Sequence, residues 1–253
     1  MPLQLDTRAI QAILFDMNGT LRSREPHPET QESAYARLRQ FLGKPDPGKD
    51  FWDELNRRHK AYTRWAQEKL VQLTEAEIWA EWMLPGTPRE HFEPMAAELM
   101  LAWQERKGHA VPKPGAGETI RALRQRGYRL GVISNTMSTL EIPGSLESFG
   151  WKEYFEVVIL SADIQVRKPS PEPFLEAARR LNLAPALCAY VGNRLSKDIA
   201  GCRQAGYALG LVLEPPTGPR ADELDSPIKP DGIIHALSEL LDLFPGQGST
   251  SPG

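Results

Sequence analysis

One segment near the start of the chain, residues 13–21 with the sequence ILFDMNGTL, constrains the fold more than any other. Residues 12–15 form a short apolar run that ends abruptly at Asp16, which predicts a buried parallel strand with an acid at its carboxyl end. Open α/β sheets bind ligands at that end of their strands. A lone carboxylate there, followed by a turn at Gly19 and the hydroxyl of Thr20, suits a covalent nucleophile.

The dipeptide Asn18-Gly19 also permits a simpler interpretation, a β-hairpin turn. Asn-Gly between alternating apolar residues is the strongest short-range hairpin signal. The second flank is missing here, because residues 22–28, RSREPHP, are too polar and too rich in proline for a returning strand. The motif by itself does not decide between a nucleophile and a turn.

Three later segments place complementary chemistry at the ends of predicted strands. Ser134 and Asn135 end an apolar run, and the Ser134 hydroxyl suits a hydrogen bond to a phosphate oxygen. Lys168 follows another strand and can neutralise an anion, while Asp198 lies on an opening helical turn and can help to hold a cation. Each has an ordinary explanation, as a strand-end hydroxyl, a solvated lysine and a first-turn acid favoured by the helix dipole. Their shared position at strand ends argues for one site.

With these four segments in this order, the chain resembles the haloacid dehalogenase superfamily over most of its length. The family's Asp-x-Asp-Gly-Thr motif falls on residues 16–20, and its Ser or Thr falls on Ser134. Its Lys falls on Lys168, and its Gly-Asp-x-x-x-x-Asp motif falls on residues 192–198. The resemblance implies an α/β fold, with a Rossmann-like, mostly parallel sheet core, helices on both faces and an all-helical cap.

The resemblance also implies a magnesium-dependent phosphatase that forms an aspartyl-phosphate on Asp16 and acts on a small phosphorylated metabolite. Mg²⁺ is the implied cofactor. The implied catalytic residues are Asp16, Asn18, Ser134 and Lys168. The implied substrate-binding residues are Thr20, Ser134, Asn135 and Lys168. The implied metal ligands are Asp16, Asn18 through its backbone carbonyl, Asn193 and Asp198.

Two positions depart from the family pattern. Asn18 stands where phosphatases of the family carry the general acid/base, and Asn193 stands where they usually carry a magnesium-binding acid. An amide cannot donate a proton to a leaving alkoxide, and such help is typically worth about a hundred- to ten-thousand-fold in rate. We therefore expect attenuated hydrolysis of alkyl phosphates, residual activity on aryl or acyl phosphates, and a gain on alkyl phosphates in Asn18→Asp.

Two other functions remain open at this point. In a metal-independent 2-haloacid dehalogenase the same Asp attacks carbon and the halide leaves without a proton, so the missing acid does no harm. Related dehalogenases usually carry an aromatic residue after the nucleophile and a Ser-rich fourth motif, whereas residues 192–198 keep the phosphatase spacing. A catalytically silent phosphate-binding protein is the third possibility, although Asp16, Ser134 and Lys168 are all present.

Apolar strands alternate with amphipathic helices in two stretches of the chain, which is typical of a mostly parallel sheet. The predicted core is residues 1–23 and 112–242. The predicted strands after the first are residues 130–134, 155–160, 189–191, 209–213 and 232–234. Helices are predicted at residues 118–126 and 172–181.

Residues 24–111 form the predicted helical cap and contain no convincing strand. Helices are predicted at residues 29–42 and 51–70. Residues 74–77, TEAE, and 87–90, TPRE, both predict capping boxes, the second with Pro88 at the first helical position.

Aromatic and basic side chains are concentrated in this predicted cap. Five of the 6 Trp residues lie there, at Trp52, Trp65, Trp79, Trp82 and Trp103. They form either an aromatic substrate pocket or, as we favour, the core of a small helical bundle. A basic cluster on the second helix, formed by Arg57, Arg58, Lys60 and Arg64, is either a solvated face or a contact to substrate.

Composition limits the partners. The formal charge of −3 and the absence of a long basic run argue against a nucleic-acid partner. No apolar segment is long enough for a membrane span, and no signal peptide is evident, so we expect a cytoplasmic location and a small-molecule substrate.

Cys188 and Cys202 are expected to be buried free thiols. Residues 243–253 are expected to be a flexible tail. The oligomeric state stays open.

Overall fold

The structure is a computed structural model that describes residues 6–215, 217–218 and 220–246. Six strands form one sheet in the order β5-β4-β1-β6-β7-β8, and every pairing in it is parallel. The strands are β1 Ala12–Phe15, β2 Arg22–Glu25, β3 His109–Pro112, β4 Arg129–Ser134, β5 Val157–Leu160, β6 Cys188–Gly192, β7 Leu209–Leu213 and β8 Gly232–Ile234. The prediction of a Rossmann-like parallel sheet is confirmed.

Helices flank the sheet and fill the segment between β2 and β3. They are α1 Pro28–Phe41, α2 Gly48–Lys69, α3 Glu75–Glu77, α4 Arg89–Phe92, α5 Ala96–Glu105, α6 Ala116–Gln125, α7 Glu141–Ser148, α8 Ser161–Ile164, α9 Glu172–Arg180, α10 Ala200–Gln204 and α11 Leu240–Leu243, with π-helical turns at Ile78–Met83 and Leu195–Ile199. Among the described residues, no helix combines the length and the hydropathy needed to cross a bilayer.

The alternation of side chains along β1 explains why the sheet is covered on both faces. Ile13 and Phe15 belong to a core cluster that includes Ile120 of α6. Ala12 and Leu14 face the other way, into a cluster built around α9. Successive residues of a strand point to opposite faces, so a strand buried on both sides reads as a continuous apolar run.

The position of β1 at the centre of the sheet determines where the site forms. In the hydrogen-bonded register, Phe15 lies opposite Val132 of β4 and Val191 of β6. The residues that follow these three strands therefore emerge together at the carboxyl edge. β4 and β5 lie on one side of β1 in the sheet, and β6, β7 and β8 lie on the other side. A strand order that reverses in this way opens a crevice for ligands at the switch point.

The helical insertion between β2 and β3 has a core of its own, as we favoured from its tryptophans. Trp79 and Trp103 are fully buried in it, and Trp52, Trp65 and Trp82 pack against the same cluster. Cys188 and Cys202 are buried free thiols, as expected; burial raises the pKa of Cys188 to about 11 and that of Cys202 to about 12.

Two helix-start predictions had different outcomes. The capping box at residues 74–77 is confirmed, with reciprocal hydrogen bonds between Thr74 and Glu77. The second box, at residues 87–90, is wrong: Pro88 has an extended ψ of 143° and precedes α4, so the helix starts one residue later than predicted and has no side-chain cap.

The expectation that residues 22–28 and 24–111 contain no strand is also wrong. β2 pairs antiparallel with β3, so the insertion is entered and left through a two-stranded ribbon. The pairing partner lies at the far end of the insertion, where no local pattern reveals it. Arg22 is part of β2 although it is polar, because its side chain is buried in an ion pair with Glu141.

The predicted tail starts too early. Leu243 ends α11, and Phe244 is fully buried with its ring 5.5 Å from that of Tyr128. A large ring in contact with the core holds this part of the chain in place. The rest of the predicted tail, residues 247–253, lies outside the described residues.

Candidate active site

Asp16 continues the backbone ladder of β1 and presents its carboxylate at the carboxyl edge of the sheet. Its N–H donates to the carbonyl of Val191 over 2.9 Å. Oδ1 accepts from Lys168 Nζ at 2.8 Å, whereas Oδ2 has one distant neighbour, Thr20 Oγ1 at 3.5 Å. Burial raises the pKa of Asp16 to about 6, Lys168 opposes that rise, and Asp198 adds to it. The group is therefore mostly ionised at neutral pH and has one lightly engaged oxygen.

Lys168 is the electrostatic centre of the site. Its buried ammonium lies 2.8 Å from Asp16 Oδ1, 2.7 Å from Asp198 Oδ1, 2.9 Å from the carbonyl of Ile133 and 2.7 Å from the hydroxyl of Tyr190. Burial opposes its charge, but Asp16 and Asp198 outweigh burial and raise the pKa of Lys168. The site thus holds a fixed positive charge directly beside the predicted nucleophile.

Asp198 serves as the buried counter-ion of Lys168. Its second oxygen, Oδ2, accepts from the backbone N–H groups of Asn193 and Arg194, both at 3.0 Å. Both oxygens therefore already have donors, and the side chain is 2% exposed. The metal-ligand role that the resemblance implied for Asp198 stays a prediction; in this structure its carboxylate faces Lys168 and the backbone of the turn.

Ser134 and Asn135 differ in what they offer a ligand. Ser134 Oγ is buried and has no hydrogen-bond partner among the described residues, which is unusual for a buried hydroxyl. Asn135 instead clamps the backbone of Lys168: its Nδ2 donates to the Lys168 carbonyl at 3.0 Å, and its Oδ1 accepts from the Lys168 N–H at 2.9 Å. Ser134 Oγ thus has an unused capacity for hydrogen bonding, while Asn135 positions the lysine.

Asn18 is held by an arginine that sequence reasoning missed. Arg22 Nε donates to Asn18 Oδ1 over 2.9 Å, and the buried guanidinium also contacts Ser145 Oγ and Glu141 Oε1, the latter at 2.5 Å. Arg24 shares the same Glu141 oxygen at 2.5 Å. Burial opposes the charge of Glu141, yet the two arginines outweigh it and lower the pKa of Glu141. No spacing rule links residues so distant in sequence.

Only two of the four predicted metal ligands, Asp16 and Asp198, have acidic side chains. Among the described residues, no group of three or more His, Cys, Asp or Glu side chains is placed to hold a metal ion. Asn193 packs against the turn at Gly19, where an added Cβ would lie 2.1 Å from Asn193 Nδ2. Magnesium commonly uses one or two carboxylates together with substrate phosphate and water. Asp16 Oδ2 with neutral oxygens of Asn18 and Asn193 fits an ion that shares its coordination with a bound phosphate.

A cavity of about 370 Å³ lies between the carboxyl edge of the sheet and the helical insertion. Its wall carries four cationic side chains and one carboxylate. These charged residues are Arg22, Arg24, Lys107, Arg167 and Glu141. The basic cluster predicted from the sequence is a different one, in which Arg57 and Arg58 pair with Glu54. The basic wall comes from loops and strand ends whose proximity only the fold creates.

The comparisons with known proteins agree with this geometry. A profile of the haloacid dehalogenase-like hydrolases matches residues 10–206. The glyceraldehyde 3-phosphate phosphatase of Methanopyrus kandleri is 32% identical over 150 residues, 59% of this chain and 64% of that protein. Human haloacid dehalogenase-like hydrolase domain-containing protein 3 is 39% identical over 145 residues, 55% of this chain and 54% of that protein. The chain thus spans less than two thirds of either relative.

Solved structures extend the similarity to the insertion. The 2-haloacid dehalogenase of Pseudomonas syringae superimposes with a TM-score of 0.65 at 25% identity, over 92% of this chain and 97% of that one. The family profile covers most of the chain and includes Asp16, Ser134, Lys168 and Asp198. The chain therefore belongs to the haloacid dehalogenase-like hydrolase family.

Proposed function

We propose that this hydrolase is a phosphatase that cleaves a small phosphate monoester through a covalent intermediate on Asp16. The observation that carries the proposal is the arrangement around one carboxylate. Asp16 has a cation at one oxygen and a lightly engaged second oxygen, and the Ser134 hydroxyl at the end of the neighbouring strand has no partner among the described residues. An anionic phosphoryl group supplies the acceptor that this hydroxyl lacks.

The proposed reaction has two steps. Asp16 Oδ2 attacks phosphorus, the bond from phosphorus to the ester oxygen breaks, and the alcohol leaves with a proton taken from water. Water then attacks the aspartyl-phosphate, which releases inorganic phosphate and restores the carboxylate. Lys168 and Ser134 stabilise the charge on the non-bridging oxygens in both steps.

Magnesium is part of this proposal. Asp16 and neutral oxygens of Asn18 and Asn193 would hold the ion, which would neutralise phosphate charge when bound. With one carboxylate in this set, we expect weak binding that strengthens when phosphate is present.

Asn18 determines which substrates the proposed enzyme handles well. Its Oδ1 accepts from Arg22, and an arginine in a protein stays charged and can only donate, so the amide NH₂ is the polar group left for a ligand. Asn18 can stabilise a leaving oxygen by a hydrogen bond but cannot protonate it. Aryl and acyl phosphates, whose leaving groups need no proton, are therefore the expected substrates in vitro.

The test is hydrolysis of an aryl phosphate with and without magnesium, by the native chain and by Asp16→Asn. We expect magnesium-stimulated release of phosphate that disappears in the variant, together with a phosphorylated or beryllofluoride-trapped Asp16 in the native chain. Turnover that persists in Asp16→Asn, or that never labels Asp16, would overturn the proposal.

A second candidate is a 2-haloacid dehalogenase, favoured by the absence of an acid at Asn18 and by the similarity to the Pseudomonas enzyme. In that reaction Asp16 attacks carbon and halide departs without a proton. Halide release from a 2-haloacid without magnesium, in place of phosphate release, would select it. Phosphate binding with neither activity would select a silent member.

A further inference from the structure

Three cation or donor groups in the cavity wall lack the partners that such groups normally have. Arg167 is 6% exposed, and its Nε has no hydrogen-bond partner among the described residues. Its Nη1 contacts only the neutral amide oxygen of Gln72. None of the described carboxylates forms an ion pair with it, although buried charges are ordinarily paired. Burial lowers the pKa of this guanidinium.

The helical insertion contributes the other two groups. Lys107 has an exposed side chain at the cavity rim and forms no ion pair with a described residue. Desolvation by the surrounding protein, followed by the charges of Arg106 and Arg24, lowers the pKa of Lys107. His59 is buried, and its Nε2 has no partner among the described residues. Burial, then Lys107 and Arg106, lower the pKa of His59 to about 3, so the ring is neutral at physiological pH and can donate one N–H.

These groups are separate from those assigned to the phosphoryl group. Lys168 has acceptors from Asp16 and Asp198, and Arg22 and Arg24 share Glu141. Among the described side chains of the cavity, Arg167 and Lys107 are therefore the cations that remain without a paired carboxylate. The wall has more positive charge than one phosphoryl group requires.

We propose that Arg167, Lys107 and His59 form a second anion subsite, so that the substrate is a phosphate ester carrying a further carboxylate or phosphate group. This inference rests on the proposed function and narrows its substrate class. Hydrogen bonds from charged donors to an anion are stronger than neutral ones. A cavity of about 370 Å³ restricts the ligand to a small molecule.

The experiment uses phosphonates, which bind without being hydrolysed, so binding is read separately from turnover. Calorimetric titration of the native chain, at constant magnesium, compares methylphosphonate with phosphonoacetate and methylenediphosphonate. The first has one anionic group; the second adds a carboxylate and the third adds a phosphonate. We expect at least one of the two larger ligands to bind about tenfold or more tightly than methylphosphonate, and the better one identifies the second group.

Matched variants locate the effect. Arg167→Gln and Lys107→Met should each remove most of the preference for the larger ligand and leave methylphosphonate binding nearly unchanged. Arg57→Gln, which removes an equal charge from an exposed site on the same insertion, should change neither. Arg167→Lys should restore part of the preference. Lys107 is exposed at the rim, so its variant carries the test if Arg167→Gln does not fold.

The outcomes separate this inference from the proposed function. Equal binding of all three ligands, or a preference that survives both Arg167→Gln and Lys107→Met, would overturn the second subsite while aryl phosphate turnover leaves the phosphatase standing. Absence of methylphosphonate binding together with absence of turnover would instead remove the proposed function on which the subsite rests.

Discussion

Arg22 Nε donates to Asn18 Oδ1 over 2.9 Å, and this contact fixes how the amide at position 18 faces the cavity. The guanidinium is buried and anchored by Glu141 and Ser145, so it cannot swing away without loss of several polar contacts. Any side chain at position 18 therefore lies beside a fixed positive charge.

This contact changes what we expect from Asn18→Asp. The new carboxylate would accept from Arg22, and a neighbouring guanidinium lowers the pKa of a carboxyl group. Such an aspartate stays ionised at neutral pH and is a poor general acid. We expect the single variant to hydrolyse alkyl phosphates less than about tenfold faster, well below the hundred- to ten-thousand-fold typical of acid/base help.

The double variant Asn18→Asp with Arg22→Gln removes the positive charge beside the new acid. Its kcat for an alkyl phosphate should exceed that of either single variant, whereas aryl phosphate rates should change little. Arg22→Gln alone is the control for damage to the Glu141 network. A gain of a hundredfold or more in Asn18→Asp by itself would show that Arg22 does not restrain position 18.

The pH dependence should follow Asp16. Burial raises the pKa of this carboxyl from 3.8 to about 6, and only the ionised form attacks phosphorus. Activity should therefore be full above this value and fall about tenfold per pH unit as the pH drops below 6. Because a phosphate monoester itself titrates near pH 6, the pKa is best measured by carbon NMR of the free protein, with Asp16→Asn to assign the signal. Titration near 4 would contradict the raised value.

Lys168 should be as important for stability as for activity. Lys168→Met leaves Asp16 and Asp198 buried without their shared cation, and breaking a buried ion pair by removing one partner costs about 3–5 kcal/mol. We expect a comparable fall in the free energy of unfolding at pH 8, measured in urea. Lys152→Met, at an exposed lysine, should change it by less than about 0.5 kcal/mol.

The loss in Lys168→Met should shrink at low pH. Without the lysine, the two carboxyl groups have raised pKa values in the folded protein, so the folded state takes up protons more readily than the unfolded state. Their unfavourable contribution is then present above those pKa values and relieved as the pH falls through them. An equal loss at pH 5 and pH 8 would mean that the cost is packing and not charge.

Sequence patterns predicted the sheet well because its information is local. An apolar run such as residues 12–15, ended by a polar residue, marks both a strand and the edge at which it ends. Since parallel strands share that edge, the sequence alone predicted that Asp16, Ser134 and Lys168 lie near one another, although α8 separates Lys168 from the end of β5. The hydrogen bonds from Lys168 to Asp16 and Asp198 agree with that placement.

What sequence reasoning missed depends on contacts between distant segments. Arg22 is polar and follows a turn, which is typical of a loop, but its burial depends on Glu141 after β4. Arg167 and Lys107 line the same cavity only because the insertion lies against the edge of the sheet. No sequence pattern predicts this contact, or that neither residue has a paired acid. Asp198 is a similar case. Its spacing in the sequence predicted that it lies in the site, but only the structure shows that its oxygens accept from Lys168 and from the backbone of the turn.

The turn after β6 should tolerate no side chain at Gly192. A Cβ added there would lie 2.4 Å from Asp198 Cβ, Cγ and Oδ2, closer than real Cβ contacts permit. Gly192→Ala must therefore displace the carboxylate that balances Lys168. Overpacking alone typically costs about 1–3 kcal/mol. We expect a loss of at least this size in the free energy of unfolding, with a clear fall in kcat because Lys168 loses its support.

Gly144→Ala is the matched control, because an added Cβ there meets nothing within 4 Å and the residue lies within α7. Alanine favours a helix over glycine by about 1 kcal/mol, so this variant should unfold at an equal or higher urea concentration and keep full activity. If Gly192→Ala were as stable and as active as Gly144→Ala, the packing of Asp198 against the turn would not be what holds Lys168 beside Asp16.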